Sequence, residues 1–197
     1  MKKLLCLCLL SASTFADYYV FGALSTNNSD WEALGSNFAG GSGSWNSGER
    51  VTGGSLAVGA SVTKGTKPYS PSLLAELGYK QLGSVKKSVS NTTAAEMKTR
   101  IPYVAAGISQ KFLYYRLSYL FGVAQRILKI NSSASVDIKE QNVATPFMTV
   151  RWQYELLNSS LGLQYSLIPG VTGKLADAKR EFQPQTHELS VLLQYNF

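Results

Sequence analysis

The chain has 197 residues, of which 45% are hydrophobic and 16% charged, with 19 Lys and Arg, 12 Asp and Glu, one histidine and two cysteines. This length suits a single domain. The basic excess is scattered rather than gathered into a stripe, which argues against nucleic acid as a partner, and one histidine without usable cysteines leaves no metal-ligand set and no expected cofactor.

The first element is a leader. Residues 1–16, MKKLLCLCLLSASTFA, combine two lysines, a short apolar run and a small-residue ending, and read as a secretory signal peptide cut after Ala16. The run from Leu4 to Leu10 is far short of the roughly 18 to 20 apolar residues that a helix needs to cross a bilayer. Cys6 and Cys8 both lie in this segment, so the mature domain, residues 17–197, is expected to have no thiol chemistry. Loss of Lys2 and Lys3 takes the basic count from 19 to 17 against 12 acidic residues, a net charge of +5. Such an excess gives a weak attraction to surface polyanions such as lipopolysaccharide.

Eight stretches then show strand character, near 18–26, 53–64, 73–83, 100–110, 114–129, 144–155, 161–172 and 186–197, and no run has helical spacing. The links alternate in length, long at 27–52, 84–99, 130–143 and 173–185, short at 65–72, 111–113 and 156–160. Alternating links predict an all-β, eight-stranded antiparallel up-and-down barrel with the short turns and both termini on one rim. The long links are rich in Gly, Ser and Asn, as in GSNFAGGSGSWNSGE, and read as exposed loops.

The strands sort their residues by a period of two. Tyr115, Leu117, Tyr119, Phe121 and Val123 oppose Arg116, Ser118, Gly122, Ala124 and Arg126. Met148, Val150, Trp152 and Tyr154 oppose Thr149, Arg151, Gln153 and Glu155. Leu73, Ala75, Leu77 and Tyr79 oppose Glu76, Gly78 and Lys80, and at the end Leu189, Val191, Leu193, Tyr195 and Phe197 alternate with polar residues, with only Leu192 out of phase. Alternation by itself fits a soluble lipocalin-type carrier as well as a transmembrane barrel. The charged face, however, is padded with Gly, Ala and Ser, as a narrow lumen requires, and the apolar face carries Tyr, Trp and Phe near strand ends, as interfacial girdles do.

Taken with the leader, the segments YYVFGALS, GGSLAVGASV, LLAELGYKQLG, LGLQYSLIPG and the terminal LSVLLQYNF resemble the eight-stranded outer-membrane β-barrel family, the OmpA-like transmembrane domain and OmpX-like proteins. The resemblance covers the whole mature chain and implies a multi-pass, monomeric protein of the bacterial outer membrane. It further implies that Leu193, Tyr195 and Phe197 form the assembly signal read by the barrel-assembly machinery. The peptidoglycan-binding domain of full-length OmpA is not carried over, since the sequence ends at Phe197.

Glu76, Lys80, Arg116, Arg151, Glu155 and Glu188 are expected to point into the lumen. A gate or small-ion path is the functional reading of these charges. A structural salt-bridge plug is the plainer one and the one favoured, because eight strands enclose just enough room for side chains. Eight strands likewise exclude a general porin. The single histidine, His187, lies at the outer end of the last strand, and Ser190, three positions on, falls on the opposite face, which weighs against a local His-Ser pair. The expected role is therefore structural or interactive, through four extracellular loops, and not enzymatic; a lipid A-modifying enzyme is the alternative. Trp31, Phe38 and Trp45 in the first loop suit contact with a host surface, a phage or lipopolysaccharide sugars, or packing of the loop on itself.

Overall fold

A computed structural model of the chain describes residues 16–29, 51–63, 70–89, 92–132, 141–170 and 185–197. Residues 1–15 of the expected leader, and Trp31, Phe38 and Trp45 of the expected first loop, lie outside these. Eight strands run in chain order: β1 (Ala16–Ser29), β2 (Val51–Thr63), β3 (Ser72–Val89), β4 (Thr92–Phe112), β5 (Tyr115–Ser132), β6 (Gln141–Leu156), β7 (Ser159–Ile168) and β8 (Thr186–Asn196). Each pairs antiparallel with the next, and β1 pairs with β8, for example Gly22 with Leu193, so the barrel closes. Closure leaves no free edge around the belt where all eight strands pair, the condition a β-structure must meet in hydrocarbon.

Two short links, 113–114 and 157–158, join β4 to β5 and β6 to β7, and both place a leucine at positive φ, Leu113 at 55° and Leu157 at 47°. Ala16 at the start and Phe197 at the end lie on this same rim. The final backbone N–H, that of Phe197, donates to the Tyr18 carbonyl at 2.9 Å, which fixes the terminal residue against β1.

One link differs from the sequence reading. Residues 84–99, expected as a long loop, instead continue β3 to Val89 and begin β4 at Thr92. The stretch puts Ser84, Lys86, Glu96 and Lys98 on one face and mixes Lys87 with Val85, Ala95 and Met97 on the other, which hides a strand from a search for alternation, while its polar face suits one that has left the hydrocarbon. β4 has 21 residues, about twice the 9 to 11 that span a bilayer. β3, β4 and β5 thus form a tall section of wall, paired from Ser84 with Lys98 up to Val89 with Thr92, and from Arg100 with Ile127 up to Ala95 with Ser132. Its base carries a bulge between Gln81 and Ser84, where Gly83 takes a φ of 82°. β7 also stops at Ile168, short of the expected 172.

The outward face is apolar in a band. On β5 it runs from Tyr115 to Val123 and gives way to exposed Gln125 and Lys129. The same upper border is marked by Thr26, Gln81, Arg100, Asn142 and His187 on their strands. Toward the short-turn rim the band ends in aromatics, with Tyr115 stacked on Trp152 at 5.3 Å and Tyr195 edge-on to Phe197 at 5.1 Å. Rings that are apolar in body and polar at the tip favour the level of lipid headgroups.

Candidate functional site: the barrel lumen

The inward face reverses this chemistry. Arg151 is 2% exposed, whereas Leu163 and Val191, on neighbouring strands, are 46% and 54% exposed. A soluble carrier would have these the other way round, so the lipocalin-type alternative is set aside.

Glu76 on β3 is the centre of the lumen network. Arg151, from β6, reaches across to it with Nη2 3.0 Å from Oε2 and 3.2 Å from Oε1. Two phenols donate to the same carboxylate, Tyr19 at 3.0 Å and Tyr103 at 2.7 Å. Arg151 also donates to Gln164 Oε1 at 2.8 and 3.0 Å, and its guanidinium lies 4.3 Å from the centre of the Phe21 ring. Five strands thereby meet at one carboxylate and one guanidinium, each with several partners, which is how a buried ion pair offsets the loss of its hydration.

Glycines make this geometry fit. A β-carbon at Gly59 would lie 2.3 Å from the Tyr19 ring and one at Gly78 would lie 2.5 Å from the Tyr103 ring. Each tyrosine folds flat over the glycine of the next strand and so brings its hydroxyl to Glu76.

A second pair lies one layer toward the loop rim. Lys80 on β3 forms an ion pair with Glu188 on β8 and donates to Ser166 at 2.8 Å, while Thr149 donates to Ser166 at 2.9 Å. Both members of this pair are as buried as those of the first. At the short-turn rim Glu155 accepts from Arg116 Nε at 2.7 Å and also pairs with Lys111; Arg116 and Glu155 are only partly buried and Lys111 is exposed. Between rim and centre, Gln153 donates to Ser160 at 2.9 Å and to Gln194 at 3.0 Å. At the other end Arg126 donates to Thr186 at 3.1 Å and to the Pro169 carbonyl at 3.3 Å.

The six charges singled out in the sequence thus fall into three separate groups, Glu76 with Arg151, Lys80 with Glu188, and Arg116 with Glu155. What the sequence reading missed is the neutral filling. Tyr19, Phe21, Tyr103, Leu120, Phe147 and Leu192 are all buried in the interior. Leu120, Phe147 and Leu192 share the parity of polar residues on β5, β6 and β8 and so carry a signal in the sequence, whereas Tyr19, Phe21 and Tyr103 do not.

His187 faces away from the lumen. Its Nδ1 is 2.6 Å from the Tyr165 hydroxyl and its Nε2 is 3.0 Å from the Gln185 amide, whereas Ser190 is buried on the inner face. Leu193, Tyr195 and Phe197 project outward along β8. Among the described residues there is no cluster of three or more His, Cys, Asp or Glu that could hold a metal ion.

A closed, eight-stranded antiparallel barrel with an apolar band outside and ion pairs inside is a transmembrane β-barrel of the bacterial outer-membrane type. The chain's fold is accordingly similar to solved outer-membrane proteins. Neisserial surface protein A aligns over 92% of this chain and 99% of its own, with a TM-score of 0.54 and 14% identity. A major outer membrane protein from Thermus thermophilus gives the same coverage, score and identity. Ail, the attachment invasion locus protein of Yersinia pestis, solved in complex with the heparin analogue sucrose octasulfate, aligns over 92% and 97% with a TM-score of 0.51 and 13% identity. No protein-family model and no curated protein matches the sequence.

Proposed function

We propose that the protein is a monomeric structural and surface-contact component of the outer membrane, in which the barrel is a sealed post and the external face does the work. The observation that carries this reading is the lumen: Glu76, Arg151, Lys80 and Glu188 are paired, buried and walled by Tyr103, Phe147 and Leu120. Side chains that fill an eight-stranded barrel leave a packed core in place of a channel. Partners are then sought on the outside. Outer-membrane lipids and lipopolysaccharide surround the band, and the loops are offered to a host or phage surface. The barrel-assembly machinery is the partner during insertion, reading Leu193, Tyr195 and Phe197.

Planar-bilayer recording of the refolded protein tests the sealed lumen. Silence is expected; steady conductance from the wild-type barrel would replace this reading with a channel. Proteolysis of intact cells tests the topology, with cuts expected in the links on the side opposite Phe197.

A further inference from the structure

Above the apolar band, the outward face of the tall wall is cationic. The cross-strand register places Lys98 on β4 directly beside Lys129 on β5, on the same face, with Arg100 one outward position below Lys98. Like charges directly opposite one another across a sheet are destabilising unless a counter-charge lies between them. The one acidic residue of this face among those described is Glu96, which is 3.1 Å from Lys98 and in register with Lys86. It offsets one of four positive charges. The cluster is also at a defined height, since Arg100 shares its register row with Gln81, the first polar outward residue above Tyr79.

In the same row, Gln81 pairs with Gly54 on β2. There the outward surface sinks into an apolar groove floored by Gly22 and Gly54 and edged by Leu24, Leu56 and Val191. The groove points down the band, and its mouth lies two strands from Arg100, about 10 Å at the usual strand spacing.

We propose that Lys98, Arg100 and Lys129 form a headgroup seat for an anionic lipid of the outer leaflet that bears phosphomonoesters, with one acyl chain of that lipid lying in the Gly22–Gly54 groove. The inference rests on the proposed orientation, in which the tall wall faces outward, and specifies one lipid site on it. Three cations at the boundary of hydrocarbon and water fit an anion that is itself held at that boundary. A soluble polyanion would have no use for the groove.

The test is lipid retention. The full barrel is placed in phosphatidylcholine nanodiscs containing a minor fraction of diphosphoryl lipid A, transferred to mild detergent, and the lipids that remain bound are weighed by native mass spectrometry. Lipid A is expected to be enriched over its share in the disc. In Lys98→Gln/Arg100→Gln/Lys129→Gln, at one half-buried and two exposed positions, the enrichment should fall by about fivefold for each charge removed. Gly22→Leu, which fills the groove, should weaken retention and keep the preference for anionic lipid A over zwitterionic phosphatidylcholine. Equal retention of the two lipids by the wild type, unchanged enrichment in the triple variant, or unchanged retention in Gly22→Leu would overturn the proposal. So would loss of the lipid to added sulfated polysaccharide at low salt. Heat-modifiable gel migration of each variant separates failure of the seat from failure of the barrel.

Discussion

Tyr103 occupies the space that a side chain on Gly78 would need, and its hydroxyl reaches Glu76, two residues before that glycine on β3, at 2.7 Å. The glycine therefore belongs to the lumen network although it has no polar group. Gly78→Val should push the ring away and strip a donor from Glu76. A loss of about 1 to 3 kcal/mol is expected, as for other overpacked interiors, seen as a lower urea midpoint for the heat-modifiable band.

The central ion pair predicts an asymmetry between single and double substitution. Arg151→Met alone leaves Glu76 charged and buried, and should cost about 3 to 5 kcal/mol. Glu76→Leu/Arg151→Met removes both charges and should recover most of that loss. A double variant no more stable than the single in equilibrium refolding would show that the pair is not the dominant interaction of either residue.

The exterior makes the opposite demand. Leu163 is exposed in the middle of the band while the next residue, Gln164, is buried in the lumen. Leu163→Arg should therefore cost about 2 to 4 kcal/mol in lipid. The same protein in a detergent micelle, where the head can reach water more easily, should lose less.

Phe197 allows assembly to be separated from stability. Removing it deletes one backbone hydrogen bond to Tyr18 and an edge-on contact with Tyr195. Refolding in detergent should weaken by only about 1 kcal/mol. If the residue acts as an assembly signal, its removal should lower the amount of folded barrel in cells much further than that loss accounts for. Equal effects in the two settings would reduce it to an ordinary packing residue.

The short turns hold a small reserve of stability. Leu157 adopts a φ of 47° and is fully exposed. Leu157→Gly removes the strain of a left-handed conformation and returns part of the gain as unfolded-chain entropy, for a net increase of about 0.5 to 1 kcal/mol. The shift in urea midpoint measures it.

How far the sequence could be read depended on how differently the two faces of a strand were composed. β5 to β8 alternate greasy and polar residues, so their orientation was legible, and with it the inward placement of Arg151 and Glu188. β1 and β4 are apolar on both sides. Nothing in YYVFGAL says that Tyr19 and Phe21 turn inward while Tyr18 and Val20 meet lipid, nor does Ile101-Pro102-Tyr103-Val104 declare its parity. Pairing was less accessible still. Glu76 and Arg151 are 75 positions apart and meet only because eight strands close at one register. The tops of β3 and β4 were read as loop because outside hydrocarbon a strand no longer needs an apolar outward face.

That upper ladder has a practical corollary. From Ser84 to Val89 and from Thr92 to Lys98, backbone bonding continues past the bilayer on one side of the mouth. On the proposed orientation, a peptide grafted between Val89 and Thr92 would start well above the apolar band, whereas the same graft after Ile168, where β7 ends, would start close to it.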